Sequence, residues 1–476
     1  MKQSYLPSSL QSILYSFAPC FTAPSFENFV ALVCGWMLCQ GAHTVTRAFL
    51  CARLGRLTSR RHHASLHRFL SRARWAPDAL GRVLLLLLLP FLGQEIEAAV
   101  DDTLCRRTGA HIFGAGMHHD TGRSTYRSYG GPRTLLAFGH SWVVLSLWVS
   151  WPWKPTRGTA IPILFRLYRP KKRTPEAQYR KRTELAVELL RLLASWLPEG
   201  RRLNLAADRE YSCTTVLRDL PENVRFVGTM PMDAALFEVE LKPYRGRGRR
   251  PAKGPRLPTP TEMAAQGTLP WSKCEVALYG RPTRLLVHSF VAIWYSVTRR
   301  RPLRVVLTRD PSGRMDDRVY FSTHPQWSAQ QILRRYARRW ALEVTFFHAK
   351  QSLGLEQVRN GWWRRRNRNG TPLPRRKGPH AHPYRGRKAA ERTVPLLFLT
   401  YGLVVAWYLR HGKPTRDVAR ECKRRPWDRG KSDPSFPDML HALRREFLRV
   451  RISADPLLRA HREKLSRLLP IAEWAA

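Results

Sequence analysis

Tyr336, Arg339, Glu343 and Lys350 fall at successive spacings of three, four and seven residues. At about 100° per residue a helix gathers all four into an arc of roughly 60°. One stripe would then present a phenol, a guanidinium, a carboxylate and an ammonium. A carboxylate among cations can ligate a metal while its neighbours hold phosphate. It can equally be half of an intrahelical ion pair, Arg339 with Glu343, worth about 0.2 to 0.5 kcal/mol when exposed. Spacing alone leaves both readings standing.

Two more carboxylates bear on the choice. Asp101 follows Ala98, Ala99 and Val100, and Asp208 follows the apolar run Leu203 to Ala207. Each is expected at the C-terminal end of a strand, where open α/β sheets bind their ligands. Three carboxylates on three elements suit phosphodiester chemistry, in which hard divalent cations take carboxylate oxygens and stabilise both the attacking and the leaving oxygen.

The elements that must position them can be read from pattern. Ser328 and Gln331 fit a capping box and Gly354 fits a C-terminal cap, which predicts one helix of about 25 residues between them. Leu333, Trp340, Val344 and Phe347 border its polar stripe on one edge, Leu342 and Phe346 on the other, so the stripe should face protein or ligand. Strands are expected over Ser141–Trp151, Ile161–Tyr168, Leu203–Ala207 and Val224–Thr229, with helices over Thr174–Trp196 and Thr214–Leu220. That alternation says α/β. Residues 236–325 break the rhythm with a Gly/Pro/Arg-rich stretch, Tyr244–Arg256, and strand-like runs Leu285–Val291 and Arg304–Thr308, a β-rich insertion. Residues 1–94 read as a helical DNA-binding domain, with basic residues Arg60, Arg61, His62 and His63 ahead of Leu66, Phe69 and Leu70.

Composition names the partner class. The 476 residues carry 82 lysines and arginines against 35 acidic residues, a net charge of +47. Such a chain needs a polyanion, and nucleic acid comes first. Anionic membrane is the rival, but Val83–Leu92 and Val394–Leu409 fall short of the roughly 20 residues a span needs. A buried core helix is expected for the second, and no membrane partner. No leader pattern opens the chain, which points to the cytoplasm, nucleoid-associated. Eight cysteines without a C-x-x-C pair exclude a zinc ribbon or a disulfide framework.

The run Y-A-R-R-W-A-L-E-V-T-F-F-H-A-K at 336–350 resembles the Y-R-E-K signature of bacterial insertion-sequence transposases of the DDE class. A-A-D-R-E at 206–210 and V-D-D-T at 100–103 are similar to that family's other two motifs, in the right order. The resemblance covers roughly residues 95 to 410. It implies an RNase H-like mixed sheet flanked by helices, with Asp101, Asp208 and Glu343 as catalytic metal ligands and Tyr336, Arg339 and Lys350 on the phosphates of a transposon end. It further implies two Mg²⁺ ions, with Mn²⁺ able to substitute, double-stranded DNA as transposon end and target, and a homodimer in the synaptic complex. Asp102 adjoins Asp101, but side chains diverge on a strand and the D-x-T form favours Asp101. Hairpin-forming relatives use a tryptophan in the insertion; the comparable strand here reads Leu303, Arg304, Val305, leaving Trp294 or Trp271 as substitutes.

The expected organisation is thus a helical domain at 1–94, a catalytic core in two parts at 95–235 and 326–411, the insertion at 236–325, and a helical C-terminal region at 412–476. The expected function is metal-dependent cleavage and 3′-hydroxyl strand transfer in cut-and-paste transposition. An inactive DNA-binding descendant and a structure-directed nuclease are the alternatives. Arg249 and Arg250 in one arginine-rich stretch, and Arg365 and Arg366 in the loop at 360–388, are expected on DNA phosphates. Trp362 and Trp363 are the candidates for base stacking. His118, His119 and Asp120 lack zinc-helix spacing, and Asp310, Asp316 and Asp317 read as turn residues; neither group is assigned a role.

Overall fold

A computed structural model describes residues 5–60, 62–108, 112–120, 135–240, 252–278, 281–357, 369, 371, 383–428 and 430–454. Arg61, Arg249, Arg250, Trp362, Trp363, Arg365 and Arg366 lie outside these residues.

Five helices come first: α1 (Ser8–Tyr15), α2 (Ala23–Leu38), α3 (Val45–Leu54), α4 (Ala64–Ser71) and α5 (Pro77–Leu88). Then β1 (Glu95–Arg106), β2 (Gly116–His119), β3 (Leu136–Trp151) and β4 (Lys154–Tyr168) lead to α6 (Arg182–Trp196), β5 (Arg202–Ala207), α7 (Thr214–Arg218) and β6 (Val224–Met230). The β-rich segment holds α8 (Pro260–Ala265), β7 (Ser272–Leu278), β8 (Arg281–Ile293), α9 (Tyr295–Thr298), β9 (Pro302–Arg309) and β10 (Arg318–Ser322). Five helices close the fold: α10 (Ala329–Arg338), α11 (Trp340–Ser352), α12 (Pro383–His411), α13 (Pro414–Arg424) and α14 (Phe436–Ala454).

All ten strands join one sheet. At its heart β4, β3 and β1 pair antiparallel, then β1, β5 and β6 pair parallel. That order, β4-β3-β1-β5-β6, is the RNase H-like arrangement, an α/β fold with a mixed sheet between helices. The insertion continues the same sheet: β10 pairs antiparallel with β6, and β9, β8 and β7 follow in turn.

The helices around Arg339 and after Thr174 differ from the sequence expectation. The helix expected from Ser328 to Gly354 is two, because the hydrogen-bond ladder tightens at Arg339. The Arg339 N–H donates to the Tyr336 carbonyl at 3.1 Å, and Leu342 N–H to the Arg339 carbonyl at 2.9 Å, three residues back in each case. Such 3₁₀ turns wind more tightly than an α-helix and break its line. The capping box is present, with Ser328 Oγ accepting from Gln331 N–H, and Gly354 takes the left-handed φ of +61° that ends α11. The helix expected from Thr174 starts only at Arg182, where Glu184 reaches back to the Lys181 N–H at 2.7 Å. Short 3₁₀ turns occupy Lys171–Arg173 and Glu176–Gln178 instead.

The N-terminal helices share one core with the sheet and with α12. Leu10, Phe29 and Trp36 are fully buried in it together with Leu145, Leu403 and Tyr408. At 29 residues, α12 is longer than its sequence suggested, and Gly386–His411 is apolar and long enough to cross a membrane by length and composition. Its apolar window is wholly buried inside the protein, as expected of a core helix.

Candidate active site

The register of β1 on β5 sets the site. Val100 lies opposite Ala207, so the next residues along the two parallel strands are Asp101 and Asp208. Asp208 stands just past the end of β5, as expected. Asp101 does not end its strand; β1 runs on to Arg106, held there by β3. The ligand-side edge of the sheet is therefore formed where β5 stops, with β1 projecting beyond it.

The break at Arg339 brings the third carboxylate across. Arg339 donates from Nη1 to Oδ2 of Asp101 at 2.5 Å and from Nη2 to Oε1 of Glu343 at 2.9 Å. The intrahelical pair is thus real, but it is half of a bridge from α11 to β1. Burial works against the guanidinium charge. Asp101, Tyr336, Glu343 and Asp208 outweigh it and push the Arg339 pKa up.

One guanidinium is shared by too many carboxylates. Burial raises the Asp101 pKa to about 8; Arg339 opposes this, while Asp208, Asp102 and Glu343 add to it. Glu343 is raised by burial, with Arg339 lowering it and Asp208 raising it. The cluster is short of positive charge.

That shortage is the property a hard divalent cation answers, and carboxylate oxygens are its preferred ligands. By donor chemistry Asp101, Asp208 and Glu343 fit such an ion. Among the described residues, however, no three His, Cys, Asp or Glu side chains are gathered closely enough to hold one as they stand. The Arg339 guanidinium lies between two of the three.

Asp102 points elsewhere. Its Oδ2 accepts from Ser141 Oγ at 3.3 Å and faces Arg182 Nε at 3.5 Å, and Arg182 also pairs with Glu210. Asp101 and Asp102 diverge across β1, and Asp101 is the one that meets α10 and α11.

Tyr336 packs edge-on against Tyr320, ring centroids 4.9 Å apart, beneath the Arg339 guanidinium. Lys350 is half-buried at the far end of α11, close enough to β1 to bear on the Cys105 thiol. The expected apolar borders divide. Leu333, Leu342 and Phe346 are buried, whereas Trp340, Val344 and Phe347 are exposed. Trp294 is buried against Phe321, and Trp271 lies under the Arg309 guanidinium. Arg106 pairs with Asp120, Arg309 with Asp317, and Asp310 caps Ser312 N–H, which gives three of the acidic residues left without a role a local structural partner.

Sequence reading missed a polar layer under α10. Glu97, with its side chain 12% exposed, faces Arg338 at 3.2 Å and Arg335 at 3.3 Å and accepts from Asn204 at 3.1 Å. Glu95 receives Arg225 at 2.7 Å and Arg335 at 2.8 Å. The signal was there: Glu95, Glu97 and Asp101 share one parity along β1. Also missed is a cleft of about 970 Å³ beside α10 and α11, lined among others by Trp148, Trp151, Arg157, Arg334, Arg338 and Trp340.

Residues 16–280 match the family described as DDE superfamily endonuclease. The match contains Asp101 and Asp208 and ends before Glu343. Among solved structures, the chain is similar to piggyBac transposase in a synaptic complex with hairpin DNA, at 11% identity over 97% of this chain and 81% of that one, with a TM-score of 0.36. No curated protein matches.

Proposed function

The chain belongs to the DDE superfamily endonucleases, and from that premise we propose that it is the DNA transposase of a bacterial insertion sequence. It binds the element's ends, cuts them with metal-dependent chemistry and joins the freed 3′ hydroxyl to target DNA. The observation that carries this reading is the meeting of β1, the end of β5 and α11 around Arg339, which sets Asp101, Asp208 and Glu343 within reach of one another's charge.

Bound divalent cations, two Mg²⁺ or Mn²⁺ in this reading, would activate the attacking oxygen and stabilise the leaving one. Asp101, Asp208 and Glu343 would hold them. Arg339 then gives up its carboxylates and turns its fork to the phosphate oxygens of the bound end, the two-point contact a guanidinium makes best. Lys350 adds a point charge further along the same strand. Tyr336, under the Arg339 guanidinium, is assigned to the same phosphates. The cleft beside α10 combines arginines with tryptophan faces, which suits a DNA strand. Arg249, Arg250, Arg365 and Arg366 are assigned to phosphates as well. In this reading two copies pair two ends, and the protein works in the cytoplasm on the nucleoid.

The test uses the full chain with a linear fragment carrying the element's end and a supercoiled target plasmid. Mg²⁺-dependent nicking at the end and covalent joining to the plasmid are expected, both abolished by Asp101→Asn, Asp208→Asn and Glu343→Gln. Cut ends that never join would show a nuclease without strand transfer. Tight end binding without cleavage would show a binding protein.

A further inference from the structure

The N-terminal helices carry a second reactive arrangement that the acid cluster does not use. α2 and α3 cross so closely at Gly35 that a Cβ there would lie 2.2 Å from the Ala48 carbonyl oxygen. Only glycine permits that approach. One turn beyond the crossing on each helix stands a cysteine: Cys39, four residues after Gly35, caps α2, and Cys51, three after Ala48, lies in α3. The tight crossing brings their Sγ atoms to 3.5 Å. All eight cysteines are free, and among the described residues this is the one thiol–thiol contact.

The two thiols differ in setting. Cys39 is buried; Cys51 is half-buried and lines a cavity of about 270 Å³ together with Arg424, Arg444 and Arg451. Arg444 donates to the Met37 carbonyl at 2.7 Å and to the Cys39 carbonyl at 2.5 Å, which pins its charge at the end of α2. The hydrogen bond with Cys39 lowers the Cys51 pKa to about 7 against the effect of burial, with Arg47 and Arg444 assisting. The same hydrogen bond, then burial, raises that of Cys39. An accessible thiolate beside cations, backed by a buried thiol in contact with it, is the setting in which cysteine reacts. Burial raises the thiols of Cys20, Cys34, Cys105 and Cys274 instead.

We propose that Cys39 and Cys51 form a reversible oxidation site at which a small hydroperoxide closes an intramolecular disulfide. The Cys51 thiolate attacks a peroxide oxygen; an S–O bond forms, the O–O bond breaks, and hydroxide or alkoxide leaves and takes up a proton. Cys39 sulfur then attacks the sulfenic sulfur and passes its proton to the departing hydroxide. A sulfur–sulfur bond forms and water leaves. The two thiols lose two electrons and the peroxide gains them. The sulfurs close from 3.5 Å to about 2.05 Å by side-chain rotation, with the helices kept in place by Gly35. A dithiol reverses the reaction.

The test treats the purified full chain with hydrogen peroxide and follows intact mass and peptide maps. A loss of two hydrogens, a Cys39–Cys51 linked peptide reversed by dithiothreitol, and reaction about tenfold faster than at any other cysteine are expected. In Cys39→Ser, Cys51 should accumulate as sulfenic acid and be captured by dimedone. In Cys51→Ser, Cys39 should stay reduced. Even oxidation across the eight cysteines, or faster reaction at Cys213 or Cys422 than at Cys51, overturns the proposal. DNA cleavage enters none of these measurements, so their outcome is independent of the transposase reading.

Discussion

Arg339 Nη1 stands 2.5 Å from Oδ2 of Asp101, a guanidinium on the carboxylate that a cation would need. In the proposed reading Arg339 competes with divalent cations for this oxygen, and Arg339→Ala should bind Mn²⁺ more tightly than the wild type in calorimetric titration while losing affinity for the proposed DNA end. Unchanged or weaker Mn²⁺ binding would remove the competition from the account.

Raised carboxyl pKa values make the metal-free protein sensitive to alkali. Burial pushes the Asp101 pKa up to about 8 against the opposing charge of Arg339, whereas an unfolded aspartate titrates near pH 3.9. Between these values the folded state binds more protons than the unfolded one, so stability falls as pH rises. Melting in EDTA should therefore decline from pH 5 to 8, and Asp101→Asn should flatten the slope. Parallel slopes for the two proteins would show that the proton sits elsewhere.

Tyr211 offers a test that needs no DNA. Its side chain is fully buried, its hydroxyl has no hydrogen-bond partner among the described residues, and Asp102, Asp101, Glu210 and Asp208 all bear on it. An unpartnered buried hydroxyl costs about 1 to 3 kcal/mol. Tyr211→Phe should raise the urea midpoint at constant slope, a gain of about 1 kcal/mol in unfolding free energy. A destabilised variant would mean that the hydroxyl is bonded in solution.

Glu97 holds α10 to β1 through Arg335 and Arg338. Glu97→Ala leaves both guanidiniums over a vacated carboxylate and should cost about 3 kcal/mol. Glu97→Gln, which keeps the shape, should cost clearly less. Equal losses, measured by denaturant unfolding, would show that packing rather than charge decides.

Much of this was legible in the sequence because short-range rules govern it. The strand pattern of Ser141–Trp151 and Val224–Thr229, the Ser328 capping box and the buried Val394–Leu409 helix all rest on contacts within a few residues. Convergence of β1, β5 and α11 was inferred from residue order and motif, and the register Val100 to Ala207 is what makes Asp101 and Asp208 neighbours. The break at Arg339 was not legible, because Arg338 and Arg339 both favour helix. Tertiary pairing with Asp101 and Glu97 accompanies it. Nor could pattern show that Arg339 would face a carboxylate, since residue type alone marks it for phosphate.

The strand order has a mechanical side. From β4 through β6 to β7 the sheet is one continuous ladder, so the insertion is not hinged to the acid cluster but woven into it. A load applied at the β7–β8 hairpin would reach Asp208 as torsion of a single ribbon, with no joint along the way to absorb it. A partner that gripped the far edge would thus pull on the same ladder that carries Asp101 and leads into Asp208, as a tiller pulls on a rudder.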